Sequence, residues 1–291
     1  MAEIEKQFTR LEAGVAGLRR VQANLKRYRA AVLKAACEGK LVPTEAELAR
    51  QEGRTYETGA QLLERILTKR RQKWSGKGKY KEPEEPDIAK LPLLPDGWAW
   101  TTMDAAIVSG PQNGLYLPKE FYGHGHPILR IDDYQDGWVR SRDELNKVGA
   151  DLETVKNYQL CGGDLVINRV NSPTHLGKCL IVRDSLASTL FESNMMRAGL
   201  SEFIRTQYVE FYLRSVDGRS RLNSNAKWAV NQASINQHDV KSTPLPLPPV
   251  AEQQPIVAEV ERRLSVIEQL NAVVHANLQR ATRLRQSRIT N

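Results

Sequence analysis

The feature that most constrains the fold is a helix sequence that occurs twice, once at each end of the chain. Residues 258–270 read AEVERRLSVIEQL, and residues 2–14 read AEIEKQFTRLEAG. Further along the same two segments ANLKR (Ala23 to Arg27) recurs as ANLQR (Ala276 to Arg280). The two halves of the repeat align with offsets that differ by about three residues, close to one helical turn of ~3.6. Such a change rotates the helix face little, and the matched order argues against two surface helices that share only their composition.

In the first segment Ile4, Phe8, Leu11, Val15, Leu18, Leu25 and Val32 alternate at four and three spacing, with Gln22 and Arg29 in the same register. In the last segment Val260, Leu264, Ile267, Leu270 or Asn271, Val274, Leu278, Ala281 and Arg285 do the same. Both are heptad seams, narrower than the apolar face of a helix laid on a globule. Each helix therefore expects another helix as its partner.

Between them the texture changes three times. In CEGKLVP (Cys37 to Pro43), Gly39 suits the position after a helix end and Pro43 prevents resumption. Two short helices are predicted next, opened by capping boxes at Thr44 with Glu47 and at Thr58 with Gln61. The second, roughly Gly59 to Gln72, runs into TKRRQKWSGKGKYK and then EPEEPD, a basic and then acidic linker. Its cations suit a solvated helix end as well as they suit phosphate.

From LPLLPDGWAW onward, HPILRI, DLVINR and KCLIVR read as strands, and FIRTQYVEFYLRSV as a helix. The chain leaves through TPLPLPPVAEQQP, whose prolines rule out a central strand or a helix interior and give a stiff hinge. Pro255 places the start of the last helix near itself, within its first turn. The predicted units are residues 1–40, a long helix; 41–90, short helices and linker; 91–242, a mixed α/β (α+β) head of the common domain size of about 150 residues; and 243–291, hinge and second long helix.

Lys and Arg number 42 against 34 Asp and Glu, a net charge of +8, so a polyanion such as nucleic acid is the first partner to test. The three cysteines, Cys37, Cys161 and Cys179, form no CxxC pair, which speaks against a zinc site or a disulfide framework and for reduced thiols. No apolar run approaches the ~20 residues that span a bilayer, so no membrane partner is expected and the cytoplasm is the expected location.

Catalytic patterns fail in turn. No GxGxxG follows a strand, GKGK is a lysine-rich turn, and LGKC lacks the upstream glycine of a phosphate loop. HGH (His124 to His126) reads as a glycine turn rather than a metal site. No Asp-Pro-Pro-Tyr or Asn-Pro-Pro-Tyr stretch offers an adenine-methylating site, and EGK at Glu38 to Lys40 lacks the partner a metal nuclease needs. A site built from Asp132, Asp133 and His175 is a weak enzymatic rival, since those acids suit a surface turn.

What remains is three loops rich in amides and cations: PQNGLY (Pro111 to Tyr116), INRVNSPTHLGK (Ile167 to Lys178) and RSRLNSNAKWAVNQASIN (Arg219 to Asn236). Asn and Gln can bond adenine through two hydrogen bonds, Arg can do so with guanine, and Lys or backbone amides hold phosphate. The candidate DNA-binding residues are Gln112, Asn113, Tyr116, Arg169, Asn171, His175, Lys178, Asn223, Asn225 and Lys227.

LPLPPVAEQQPIVAEVERRLSVIEQL resembles the C-terminal conserved region of type I restriction-modification specificity subunits. The first helix running into LKAACEGKLVP resembles their central conserved region. LPDGWAW, ILRI, GDLVINRVNS, LGK and the QASIN stretch resemble a target recognition domain. The resemblance implies that the repeated helices pack as an antiparallel coiled coil, a spacer between DNA-reading heads. It also implies a major-groove contact with one half of a split double-stranded DNA site.

By the same resemblance the coiled coil docks modification (methyltransferase) subunits and, through them, the restriction subunit. S-adenosylmethionine, ATP and magnesium belong to those partners, and the chain itself needs no cofactor. The family's subunits carry two heads and this sequence shows one, so the expectation is a half-size subunit or a C-terminal fragment, and a homodimer reading a split palindrome. The rival expectation is a coiled-coil dimeric DNA-binding regulator independent of any methylase.

Overall fold

The computed structural model describes residues 2–76, 78–135, 138–172, 175–230 and 232–287. Helix α1 (Ala2–Cys37) ends where Gly39 takes φ 65° and the Lys40 amide bonds the Ala35 carbonyl at 2.9 Å. A side chain at Gly39 would also clash with the ring of Pro95. Both predicted capping boxes form, opening α2 (Glu45–Glu52) and α3 (Gly59–Gln72). The basic end of α3 is paired with acids: Lys69 with Glu202 at 2.5 Å, Arg70 with Asp104 at 3.2 Å, and Arg71 with Glu82. Those cations neutralise the protein's own acids.

The mixed α/β body follows in chain order as β1 (Ala99–Thr102), α4 (Met103–Ala106), β2 (Ile107–Asn113), β3 (Tyr122–Leu129), β4 (Tyr134–Gln135), β5 (Trp138–Val139), β6 (Lys147–Val148), α5 (Leu152–Tyr158), β7 (Leu165–Asn168), β8 (Val170–Asn171), β9 (Cys179–Ile181), β10 (Leu190–Phe191), β11 (Met195–Leu200), α6 (Thr206–Arg214), α7 (Val216–Leu222), β12 (Lys227–Ala229), β13 (Gln232–Ser234), α8 (Gln237–Lys241) and β14 (Pro244–Leu247). The central sheet is antiparallel, in the order β2-β11-β7-β9. Every residue of β7 is buried, as expected of a strand covered on both faces. Leu165 and Ile167 join the core shared with α6 and the long helices, while Val166 joins Leu129, Tyr134 and Phe191 on the other side.

The proline stretch is a strand rather than a free hinge. β14 pairs antiparallel with β1, Trp100 opposite Pro246 and Thr102 opposite Pro244. Alternate prolines leave its other edge without N–H donors, and two tyrosines of α6 satisfy the carbonyls there: Tyr208 bonds Pro246 at 2.9 Å and Tyr212 bonds Pro244 at 2.6 Å.

The last helix, α9 (Val250–Ser287), starts well before Pro255, correcting the expectation that the proline sits in its first turn. A proline here forfeits one N–H and crowds one carbonyl, and the preceding turn is held from outside. The Gln253 side-chain carbonyl accepts the Arg205 amide at 2.7 Å, and its amide reaches the Phe203 carbonyl at 3.3 Å.

α1 and α9 lie side by side and antiparallel. Arg29 pairs with Glu268 at 3.0 Å and Glu12 with Arg285 at 3.9 Å, so numbers rise on one helix as they fall on the other. Leu25 and Val32 are buried on α1, with Val260, Leu264, Ile267, Val274 and Ala281 on α9. Of the two seam candidates left open, Asn271 is half-buried and Leu270 is 47% exposed, so the polar residue takes the position. Gln22 is exposed and leaves the predicted register, and the side chains of Ile4 and Phe8 lie outside the described part. Among the described residues no helix is long and apolar enough to cross a membrane.

Candidate nucleic-acid interface

The strand register brings the three loops to one end of the central sheet. Asn113, the last residue of β2, pairs with Met196, and Asn168, the last of β7, pairs with Met195. Two loops therefore leave on either side of the start of β11. The third joins through β13, whose Ala233 and Ser234 pair with Asn171 and Val170 of β8, and through the Ile235 amide, which bonds the Arg169 carbonyl at 2.9 Å. Each loop lies in an acid-free stretch: no Asp or Glu occurs from 105 to 119, from 165 to 183, or from 218 to 238. The sheet end so formed carries cations and amides with no acid interspersed along the loops.

The predicted residues separate into two groups. Asn113, His175, Asn225 and Lys227 are exposed, and Tyr116 is 78% exposed. His175 Nδ1 lies 2.9 Å from the Ser172 hydroxyl, which orients the ring. Gln112, Arg169, Lys178 and Asn223 are less exposed, and each donates to a backbone carbonyl of the protein. Gln112 accepts the Arg197 Nε at 2.8 Å and donates to the Asn157 carbonyl at 3.1 Å, so both ends of its amide are already engaged within the protein. Arg169 is half-buried and donates to the Ser193 carbonyl at 3.2 Å. Asn223 ends α7 and donates to the Leu176 carbonyl at 3.2 Å.

Lys178 corrects the expectation of a phosphate-holding lysine. It is 6% exposed, its ammonium donates to the Ile131 carbonyl at 3.2 Å, and it lies 4.4 Å from the Tyr134 ring centre. A buried ammonium held by a carbonyl and a ring face supports the loop from below. Asn171 is placed by its backbone alone, since its side chain lies outside the described residues, as do Pro173 and Thr174.

The Tyr134 hydroxyl donates to the Asn168 side-chain carbonyl, and burial pushes the phenol well above its ordinary range, keeping the proton on the donor. Asp133, the weak enzymatic candidate, is consumed by the Arg130 amide at 2.9 Å and Arg140 Nε at 3.0 Å. HGH falls in an irregular part of β3, where Tyr122 and His126 both pair with Val148, rather than in a turn. Among the described residues no group of three or more His, Cys, Asp or Glu side chains is placed to hold a metal.

Two exposed apolar residues escaped the sequence reading. Trp228 is 63% exposed on β12, and Val230, in the turn after β12, is 92% exposed. The signal was available: WAV is a short apolar run bounded by the turn-forming Asn231. Helix α7 was missed too. It opens where the Ser215 hydroxyl accepts the Gly218 amide at 3.0 Å.

One α/β body carried on two long antiparallel helices, with an acid-free loop end turned to solvent, defines a head-and-spacer class of protein. The chain belongs to the type I restriction modification DNA specificity family: the model of the Type I restriction modification DNA specificity domain matches residues 112–275. It is 30% identical over 184 residues to the type I restriction enzyme EcoKI specificity subunit of Escherichia coli (strain K12), covering 62% of this chain and 39% of that one. The putative type I restriction enzyme MjaX specificity subunit of Methanocaldococcus jannaschii is 31% identical over 183 residues, covering 61% and 41%. The chain thus spans well under two thirds of the length of these relatives. A chain solved in work on complex assembly and conformational transition of the type I R-M system shares the fold at a TM-score of 0.51 and 18% identity, covering 96% of this chain and 56% of that one.

Proposed function

We propose that this chain reads one half of a bipartite double-stranded DNA site for a type I restriction-modification assembly in the cytoplasm and catalyses nothing itself. The convergence of three acid-free loops at one sheet end, with exposed amide, cationic and aromatic side chains, carries the reading. In this reading residues 91–242 are the target recognition domain, 41–90 its supporting short helices and linker, and 1–40 and 243–291 the spacer helices. Amides of Asn113 and Asn225 contact bases, Lys227 contacts phosphate, and Gln112, Arg169, Lys178 and Asn223 hold the loops in place. The rival reading, a regulator independent of any methylase, gains nothing from the family match.

The spacer helices dock modification (methyltransferase) subunits, which bring the restriction subunit. Exposed Arg19, Arg20, Lys26 and Arg27 offer cations to acidic helices of such a partner. About 30 helical residues at ~1.5 Å each give a rod of roughly 45 Å, longer than the ~34 Å of one DNA turn. Two copies related by a two-fold axis then place one head on each half of a split palindrome. Methyl transfer from labelled S-adenosylmethionine to duplex DNA tests the reading: none is expected from the chain alone, and transfer is expected once a modification subunit is added. Robust transfer by the isolated chain would overturn it, and a species of one chain mass, unchanged by DNA in sedimentation, would remove the dimer.

A further inference from the structure

The hairpin formed by β12 and β13 is built differently from the rest of the loop end. Its base is fixed in the core: Ala226, Ala233 and Ile235 are 9%, 1% and 2% exposed, and β13 is paired to β8. Its outer strand is not. All three residues of β12 are exposed, and β12 is the edge of its sheet, with β13 as its partner on one side only.

Side chains two apart in a strand share a face. Lys227 and Ala229 therefore share one face of β12 and Trp228 takes the other, set across from Ala233, while Val230 follows in the turn that ends the strand. A tryptophan and a valine left 63% and 92% exposed, one on the hairpin's outer strand and one in the turn that follows it, give up the burial that apolar side chains normally obtain. Their neighbourhood decides what could cover them. The stretch from 218 to 238 has no acid and the exposed Lys227 lies on the ribbon itself, so the charge along the ribbon favours a polyanion over an ordinary protein surface.

We propose that this ribbon enters the DNA major groove and that Trp228 and Val230 read the C5-methyl group of thymine. The inference rests on the chain being a DNA reader, and it adds a mode of reading made without hydrogen bonds. A two-stranded ribbon fits the major groove, about 12 Å wide, and the thymine methyl is the apolar group displayed there. Lys227, on the opposite face, is left for a phosphate at the groove wall. Such a contact separates thymine from cytosine, and amide contacts from Asn113 or Asn225 cannot make that distinction by methyl recognition.

The test uses the full chain and a randomised duplex pool, followed by thymine-to-uracil replacement within the sequence retained. Uracil keeps every hydrogen-bonding group of thymine and lacks only the methyl. At one or two positions uracil is expected to weaken wild-type binding about fourfold, the value of one buried methyl-sized group. The same replacement is expected to leave Val230→Ala and Trp228→Ala unchanged beyond their own loss. Val230 is exposed enough that its truncation leaves the fold intact, which keeps the comparison readable. Uracil without effect at every position, or variants that respond as the wild type does, would overturn the ribbon while leaving DNA reading in place. A wild-type chain that enriches no sequence from the pool would overturn both.

Discussion

Glu252, in the first turn of α9, accepts the indole N–H of Trp98 at 2.7 Å, and its other carboxylate oxygen accepts the Glu45 amide at 2.7 Å. One carboxylate thus joins the returning long helix, the start of the α/β body and the short helix α2. Glu252 is 3% exposed, and burial pushes its carboxyl above the usual range despite the two donors.

Truncation by Glu252→Ala leaves both donors without an acceptor in a buried junction, at about 1 to 3 kcal/mol each. A loss of about 3 kcal/mol is expected in urea denaturation. The pH dependence follows from the raised carboxyl: folded protein holds this proton more tightly than unfolded, so the group's contribution is greatest below the ordinary glutamate value and falls as pH rises through the raised one. The stability advantage of wild type over Glu252→Gln is therefore expected to narrow between pH 4 and pH 7. A gap that widens over that range would contradict the burial assigned to Glu252.

Asn271 occupies a seam position of α9 that its neighbours give to Val, Leu and Ile. A polar group there trades stability for register. Asn271→Leu is expected to raise the urea midpoint by the equivalent of about 1 kcal/mol and to loosen the alignment that places Arg29 against Glu268. Cross-linking of cysteines substituted at those two positions reads the alignment. A lower midpoint would show that Asn271 makes a stabilising contact rather than specifying register.

The long helices, both capping boxes and the strands β3, β7 and β9 were legible because each rests on local chemistry: heptad spacing, a threonine three residues before Glu or Gln, a run of branched apolar residues. The candidate site was legible only as loops. Nothing local separates Lys178 from Lys227, since both follow small or turn-forming residues, and only the tertiary placement of Tyr134 and the Ile131 carbonyl puts one inside. Pro255 misled for a related reason. A proline marks where a helix is weak, but Arg205 and Phe203, distant in sequence, hold the turn before it through Gln253.

The three cysteines differ in environment: Cys161 is exposed, Cys37 half-buried and Cys179 buried. Burial pushes the Cys37 thiol up to about 12. At pH 8 about one Cys37 in ten thousand is then the thiolate that an alkylating agent attacks. Iodoacetamide at that pH is expected to label Cys161 alone, with Cys37 and Cys179 reacting only after denaturation, as peptide mass mapping would show. Rapid labelling of Cys37 in the folded chain would mean that the end of α1 opens.

The two lysines that flank the loop end give the sharpest separation of support from contact. Lys178 bonds the Ile131 carbonyl and covers the Tyr134 ring from inside, whereas Lys227 is exposed at the base of the ribbon. Lys178→Ala removes the donor to a buried carbonyl and opens space against the ring, so it is expected to cost about 2 to 3 kcal/mol of stability. At temperatures where the variant stays folded, the dependence of DNA affinity on salt should keep the wild-type slope, because no phosphate contact is lost. Lys227→Ala should do the reverse. Its denaturation curve should overlay the wild type, while the slope of log affinity against log salt falls by about one. A reduced slope for Lys178→Ala with unchanged stability would return that lysine to the DNA face and move the Tyr134 contact to the free protein alone.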